Sequence, residues 1–206
     1  MPMRVRPAWL AALASALILT GCGSSPLDLR TVRWEDAAVP GSICGTVDPT
    51  SGVPLSFVQL HNGHAFAKSD RWPADYPIVE IDGAWDHIVY CDLNGDGKDE
   101  AAVGVYCSNG GGTADSILAY ARVIFTAHGK TARVVGVIRP LVRSAPDTPT
   151  PLLWVTRLER GKVSALEAFY GRHDSTCCPS GRAVTTWALV DGKLVPRTTK
   201  ITRSPR

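Results

Sequence analysis

Short apolar runs separated by turn residues restrict the fold of this chain more than any other feature. Asn62-Gly63, His128-Gly129 and Asp191-Gly192 each stand between two such runs. Asn, Asp and Gly favour the tight turns of β-hairpins because they tolerate the positive φ angles that these turns require. Helical periodicity is almost absent. The sequence therefore predicts an all-β fold, built as an antiparallel meander, a sandwich or a partial barrel.

The same pattern predicts individual strands and loops. Four hairpins are expected, and their strands cover residues 55–60 with 64–67, 117–126 with 133–138, 152–158 with 163–170, and 184–190 with 194–198. Short strands are expected at 78–81 and 87–90, separated by Asp82-Gly83, and a longer strand at 101–107. Residues 139–151 contain four prolines and are predicted to form an exposed loop.

The first residues have the pattern of an export signal. Arg4 and Arg6 precede an apolar run over residues 9–19, and no acidic residue lies among them. The run ends in Leu19-Thr20-Gly21-Cys22, which resembles the lipobox of bacterial lipoproteins. That resemblance implies cleavage before Cys22 and attachment of acyl chains to its thiol. The alternative is an ordinary secretory signal with a chance cysteine.

A lipobox would fix the location and domain plan of the protein. Residues 1–21 would be the signal peptide, 22–28 a lipidated tether, 29–199 a single β-rich domain, and 200–206 a basic tail. The mature domain would sit on the extracytoplasmic face of the cell membrane, held by acyl chains. Cleavage would leave 20 basic and 19 acidic residues, a net charge near +1. A near-neutral domain gives no reason to expect a nucleic-acid partner.

An acidic, glycine-containing loop directly precedes the strand predicted at 101–107. Its oxygen-bearing side chains alternate, so they turn toward one centre, and Gly97 permits a sharp bend. Calcium takes about 6–8 oxygen ligands, which matches these residue types. The candidate ligands are the side chains of Asp92, Asn94, Asp96 and Glu100 and the carbonyl of Lys98.

This loop resembles the FG-GAP repeat of integrin-like propellers and, less closely, the dockerin loop. The resemblance implies Ca²⁺ bound between two strands. The loop departs from the family pattern at Glu100, where the family usually has Asp, and it has no second copy in the chain. Val103 occupies the place of the final glutamate of an EF-hand, which excludes that motif. The alternative is a polar turn without metal.

Cysteines suggest a disulfide-stapled domain. With Cys22 lipidated, five remain, and outside the cytoplasm they are expected as two bridges and one free thiol. We expect Cys44 to pair with Cys91, and Cys107 with one of the two adjacent cysteines late in the chain. The candidates are Cys44, Cys91, Cys107, Cys177 and Cys178.

Three functions compete, and no catalytic motif selects among them. The first is a non-catalytic, calcium-stabilised module that binds an envelope protein or a wall polymer, with Trp72 and Tyr76 in a Pro-rich loop as its contact surface. The second is an envelope hydrolase that uses carboxylates near the acidic loop, from Asp86 to Asp96. The third is a purely structural lipoprotein. The overall layout also resembles lipoproteins of high-GC bacteria, a likeness that implies a location and a fold but no activity.

Overall fold

The structure is a computed structural model that describes residues 27–72, 78–83, 88–109 and 117–204. Within these ranges the chain forms β-strands and three single 3₁₀ turns, Leu29–Thr31, Trp34–Asp36 and Gly41–Ile43. All strand pairs among them are antiparallel. The predicted all-β, antiparallel class is confirmed.

A large sheet of seven strands forms the centre of the fold. Its order is β2-β4-β5-β7-β8-β9, and β6 pairs with β7 beside β5. A two-stranded sheet, β1 with β3, lies outside it. These strands are β1 Ala38–Pro40, β2 Thr46–Val47, β3 Phe57–Gln59, β4 His64–Ser69, β5 Ile78–Gly83, β6 Val89–Cys91, β7 Glu100–Ser108, β8 Ile117–His128 and β9 Thr131–Ile138.

The C-terminal half forms a four-stranded meander. The strands are β10 Leu152–Glu159, β11 Lys162–Phe169, β12 Gly181–Val190 and β13 Lys193–Arg203. They pair in sequence order, so every connection is local. Positive φ angles at Gly161 and Gly192 close two of the hairpins, as their turn residues predict. β13 continues through Arg203, beyond the expected end of the domain at residue 199.

Both faces of the large sheet are buried, because β7 alternates between two cores. Ala101, Val103, Val105 and Cys107 face the first core, which the N-terminal segment covers with Leu29, Trp34, Val39, Ile43 and Leu60. The ring of Trp34 lies 4.8 Å from that of Phe125, measured between centroids. Full burial of such side chains contributes about 1.5–3 kcal/mol each.

The second core lies between the two sheets. From the large sheet it takes Ala102, Ile124 and Ile138, and from the meander Leu153, Val155, Val163 and Trp187. Two sheets that share one apolar core form a sandwich. The arrangement is therefore a sandwich with an additional N-terminal layer, and the strands do not close into a barrel.

Local hairpins are predicted better than the N-terminal pairings. The hairpins β8–β9, β10–β11 and β12–β13 form as expected. The predicted hairpin around Asn62-Gly63 is wrong, because β3 pairs with β1 while β4 pairs with β5 and β2. Only the single bridge between His61 and His64 closes that turn. Asp82 and Gly83 belong to β5 and do not form a turn.

The disulfides match the predicted number but not the predicted partners. Cys44 bonds to Cys107 and Cys177 to Cys178, and Cys91 keeps a free thiol. Two bridges and one free thiol were expected, but the predicted partners are wrong. Cys44 and Cys107 both belong to the first core, whereas Cys91 packs against the second core on the other face of the sheet. The N-terminal layer is thus stapled directly to the central strand.

Candidate functional site

The acidic loop connects β6 to β7, and its side chains hold its own backbone. The Asp92 carboxylate accepts hydrogen bonds from the N–H groups of Gly95 (2.6 Å) and Gly97 (3.0 Å). The Asn94 side-chain oxygen accepts from the N–H of Asp96, and an Asp96 oxygen accepts from that of Lys98. Gly95 and Gly97 have φ angles of 84° and 82°, which other residues rarely adopt. The loop is therefore shaped before any ligand binds.

Glu100 has a structural role in this arrangement. Its side chain is buried, and it is the first residue of β7. One carboxylate oxygen accepts from the N–H groups of Leu93 and Asn94, at 2.8 and 3.1 Å. The other accepts from the Asn94 side-chain amide and the Thr126 hydroxyl, at 2.8 and 2.7 Å. A carboxylate offers about four acceptor positions, so protein donors fill all of them.

The loop is also fastened to the rest of the domain. Leu93 is fully buried in the second core. The Leu93 carbonyl accepts from the N–H of Gly161, and the Gly95 carbonyl accepts from the guanidinium of Arg160 at 3.0 Å. On the opposite side Asp99 accepts two bonds from Arg30, at 2.9 and 2.6 Å. The loop therefore joins both sheets and the N-terminal segment.

The remaining oxygen atoms of the loop match calcium in chemical type, but they are fewer than the about 6–8 oxygen ligands that calcium takes. Asp92, Asn94, Asp96 and the Lys98 carbonyl supply hard oxygen atoms on one loop, whereas Glu100 has no acceptor position left. Calcium would need water for its other ligands. Among the described residues, no group of three or more His, Cys, Asp or Glu side chains is arranged to hold a metal ion. A calcium site here would use the amide and the carbonyl beside two carboxylates.

The free thiol of Cys91 lies next to this loop. It is half-buried at the end of β6, paired with Glu100 across the ladder. Burial raises the pKa of the Cys91 thiol, and the carboxylates of Asp99 and Asp92 raise it further. Because the thiolate is the reactive form, this environment keeps Cys91 in its less reactive protonated state.

Two other buried or half-buried carboxylates anchor loops in the same way, and sequence patterns gave no sign of them. Glu167 on β11 accepts the consecutive N–H groups of Leu141 and Val142, each at 2.9 Å, and so holds the Pro-rich loop 139–151. Asp174 accepts the N–H groups of Gly171 and Ser180 and organises the loop that carries Cys177 and Cys178.

Of the two residues of the expected contact surface, Trp72 lies among the described residues. Trp72 is half-buried and packs against the first core, with the Arg71 guanidinium 5.7 Å from its ring centroid. Tyr76 and Cys22 lie outside the described residues, as does Asp86 of the suggested hydrolase site. The structure thus brings together the members of the acidic loop and does not join them to Trp72.

Exposed apolar side chains occur elsewhere, near β4. Phe66 has 71% of its surface exposed, and it lines an apolar cleft of about 500 Å³ together with Val47, Leu55, Val58 and Ala67. Ala65 and Ala67 pack against the first core, so strand geometry turns Phe66 between them to the opposite face. Nothing in the sequence shows that β2 and the segment after it would form the opposite wall.

The fold and the loop define an antiparallel all-β domain with a self-supporting acidic hairpin loop and one long-range disulfide. Comparisons with protein-family models, with curated proteins and with solved structures find no match. Among the described residues, no helix has the length and apolar character needed to cross a membrane.

Proposed function

We propose that this protein is a non-catalytic binding module held on the extracytoplasmic face of the cell membrane by acyl chains on Cys22. The lipobox-like sequence supports the anchor, and a stable anchor needs more than one buried chain. The described domain begins at Leu27, whose N–H donates to the Gly129 carbonyl at the β8–β9 turn. A short tether would therefore hold this end of the domain close to the membrane.

Calcium is proposed as a stabilising ligand of the acidic loop. The donors would be Asp92, Asn94, Asp96 and the carbonyl of Lys98, with Glu100 supporting the loop from behind. Asp99 is neutralised by Arg30, but Asp92 and Asp96 face no cationic partner closer than 4 Å among the described residues. A divalent cation would offset their mutual repulsion and reinforce the link between β6 and β7.

The observation that carries the binding role is the apolar cleft beside Phe66. Several apolar side chains that are exposed together around one cleft are typical of an interaction surface. The residues that line the cleft are apolar apart from Lys68, so it offers few polar groups to orient a small substrate and suits the apolar side chains of an envelope protein. A cleft beside the acidic loop is lined by Leu27, Asp28, Leu29, Lys98 and Asp99. Asp92 and Asp96, which the hydrolase alternative would use, do not line it.

Site-specific crosslinking tests this role. A photoreactive phenylalanine analogue replaces Phe66 in the full-length protein in cells, and the same analogue at Ile201, also exposed, serves as the control. We expect one defined protein adduct from position 66 only, found in the membrane fraction. A Cys22→Ser variant is expected to leave that fraction. Equal adducts from both positions, or none from position 66, would contradict the proposed surface.

A further inference from the structure

A second candidate surface lies where the meander stops covering the large sheet. Tyr106 on β7 and Tyr120 on β8 are ladder partners, and their ring centroids lie 5.8 Å apart. Together with Trp154 at the edge strand β10 they line a cleft of about 210 Å³. Gly104 also lines this cleft, and because it has no side chain it leaves space there. We call this the aromatic cleft.

Its size and walls restrict what it can hold. Drug-sized molecules need pockets of about 300–1,000 Å³, so this cleft has room for about one ring. Aromatic faces carry a partial negative charge and attract the C–H groups on one face of a saturated ring, such as that of a sugar. Trp154 is 38% exposed, and the two tyrosines are half-buried, so each of the three side chains is part exposed beside the cleft.

A second cleft of about 320 Å³ shares Tyr120 with the first. Arg139 and Arg143 line it, along with the hydroxyl residues Ser144, Thr148 and Thr150. Among the described residues, none of the side chains that line it is acidic. We call this the arginine cleft. The two clefts share Tyr120 as a lining residue, and we call them together the groove.

The arginines have no carboxylate partner. Neither Arg139 nor Arg143 forms an ion pair with a described residue. Arg139 is half-buried and uses one terminal nitrogen to donate to Ser42, at 3.0 Å to the carbonyl. Burial lowers the pKa of Arg139, and the nearby positive charge of Arg71 lowers it further. An anion in this cleft would relieve that unfavourable environment.

The loop that carries these arginines is fixed in place. Glu167 holds the N–H groups of Leu141 and Val142, which lie between the two arginines. The N–H of Ala145 donates to the Tyr170 carbonyl at 2.8 Å. Four prolines restrict the rest of the loop. A preorganised pair of cations loses little entropy when it binds, which favours affinity.

We propose that this groove binds a phosphorylated saccharide, with a sugar ring in the aromatic cleft and its phosphate in the arginine cleft. Planar guanidinium groups suit phosphate oxygens because they donate paired hydrogen bonds. The inference deepens the proposed function, since it assigns the wall-polymer role to a surface of its own. Phe66 takes no part in it, so each surface can fail without the other. The proposed location favours a wall saccharide over a nucleotide.

Calorimetry on the full-length protein at low salt tests the assignment. The probes are glucose 6-phosphate, glucose, inorganic phosphate, glucuronate and AMP. We expect glucose 6-phosphate to bind at least tenfold more tightly than each of the others. Arg143→Gln should weaken its binding about tenfold, which corresponds to the loss of one charged contact, and leave the binding of glucose unchanged. Trp154→Ala should weaken both sugars.

The controls separate loss of the site from loss of the fold. Arg133→Gln removes an exposed arginine from β9, on the sheet but away from the groove, and should bind like the unaltered protein. Unfolding temperatures confirm that each variant is folded. Equal affinity for inorganic phosphate, a preference for AMP or glucuronate, or no binding by any probe would overturn the proposal.

Discussion

Replacing Glu100 with glutamine tests whether the acidic loop depends first on this carboxylate or on metal. The substitution keeps size and burial but changes one acceptor oxygen into a donor. The amide oxygen would remain with the N–H groups of Leu93 and Asn94, because backbone donors cannot turn away. At the other end the new NH₂ group faces the Asn94 amide, which must lose its bond, and the Thr126 hydroxyl, which must rotate to accept.

The magnitude follows from these four contacts. Hydrogen bonds to a charged group contribute about 1.5–3 kcal/mol each, and neutral ones about 0.5–1.5 kcal/mol. One bond is lost and the others become neutral, while removal of the charge lowers the desolvation cost. The net loss in the free energy of unfolding should be about 3 kcal/mol, a large share of the 5–15 kcal/mol typical of a domain. Thr126→Val removes one donor to the charged carboxylate and should cost about 1.5–3 kcal/mol.

Urea unfolding in EDTA and in excess calcium separates the two roles. Glu100→Gln should lose its 3 kcal/mol in both conditions. The matched control is Asp96→Asn, an exposed position whose amide oxygen still accepts from Lys98. It should unfold like the unaltered protein in EDTA and lack the gain from calcium, about 2.7 kcal/mol at a hundredfold excess over the dissociation constant. A loss below about 1 kcal/mol for Glu100→Gln in EDTA, or one seen only in calcium, would refute this role for Glu100.

Two further predictions concern the cysteines. The Cys44–Cys107 bridge spans 63 residues, so replacing both cysteines with alanine should lower the free energy of unfolding by about 4 kcal/mol, through the chain entropy that the unfolded state regains. The control is Cys177→Ser with Cys178→Ser, which opens no loop and should lower it by about 0.5 kcal/mol or less in the same denaturant titration. Equal losses would contradict this account. Because the pKa of the Cys91 thiol is raised, its thiolate forms only at higher pH. The rate of Cys91 alkylation should therefore rise at a higher pH in the folded protein than in the urea-unfolded chain. Asp99→Asn should shift this pH dependence of the folded protein toward lower pH, and identical pH dependence in the folded and unfolded protein would count against the carboxylate environment.

The hairpins were predictable because their information is local. Gly161 and Gly192 specify their turns, and the flanking apolar runs have only one nearby partner. The pairing of β3 with β1 was not predictable, because Asn62-Gly63 suggests a local hairpin while the partner strand lies some 20 residues earlier. The same limit applies to Cys91 and Cys107, which are close in sequence but face opposite sides of the sheet.

In the candidate site, too, features that depend on nearby residues were predictable and those that depend on distant residues were not. The alternation of Asp92, Asn94 and Asp96 identified a loop whose side chains converge on its backbone. The role of Glu100 could not be predicted, because one of its donors, Thr126, lies 26 residues later on β8 and comes beside Glu100 only when β7 and β8 pair. Arg139 and Arg143 looked like ordinary loop residues. Only the fold brings them beside Tyr120, and in the described part of the chain no carboxylate forms an ion pair with either arginine.

The order of the cysteines along the chain has a consequence for oxidation. A chain made from its N-terminus presents Cys91 before Cys107, so of these two cysteines Cys44 meets first the one that stays free in the native protein. A bond formed then would join the two faces of a sheet that has not yet assembled. Exchange with Cys107 would release Cys91 only after β7 has placed its odd-numbered side chains against the N-terminal layer. In such an exchange Cys91 would be the leaving thiol, and the native bridge would form only after the sheet has assembled.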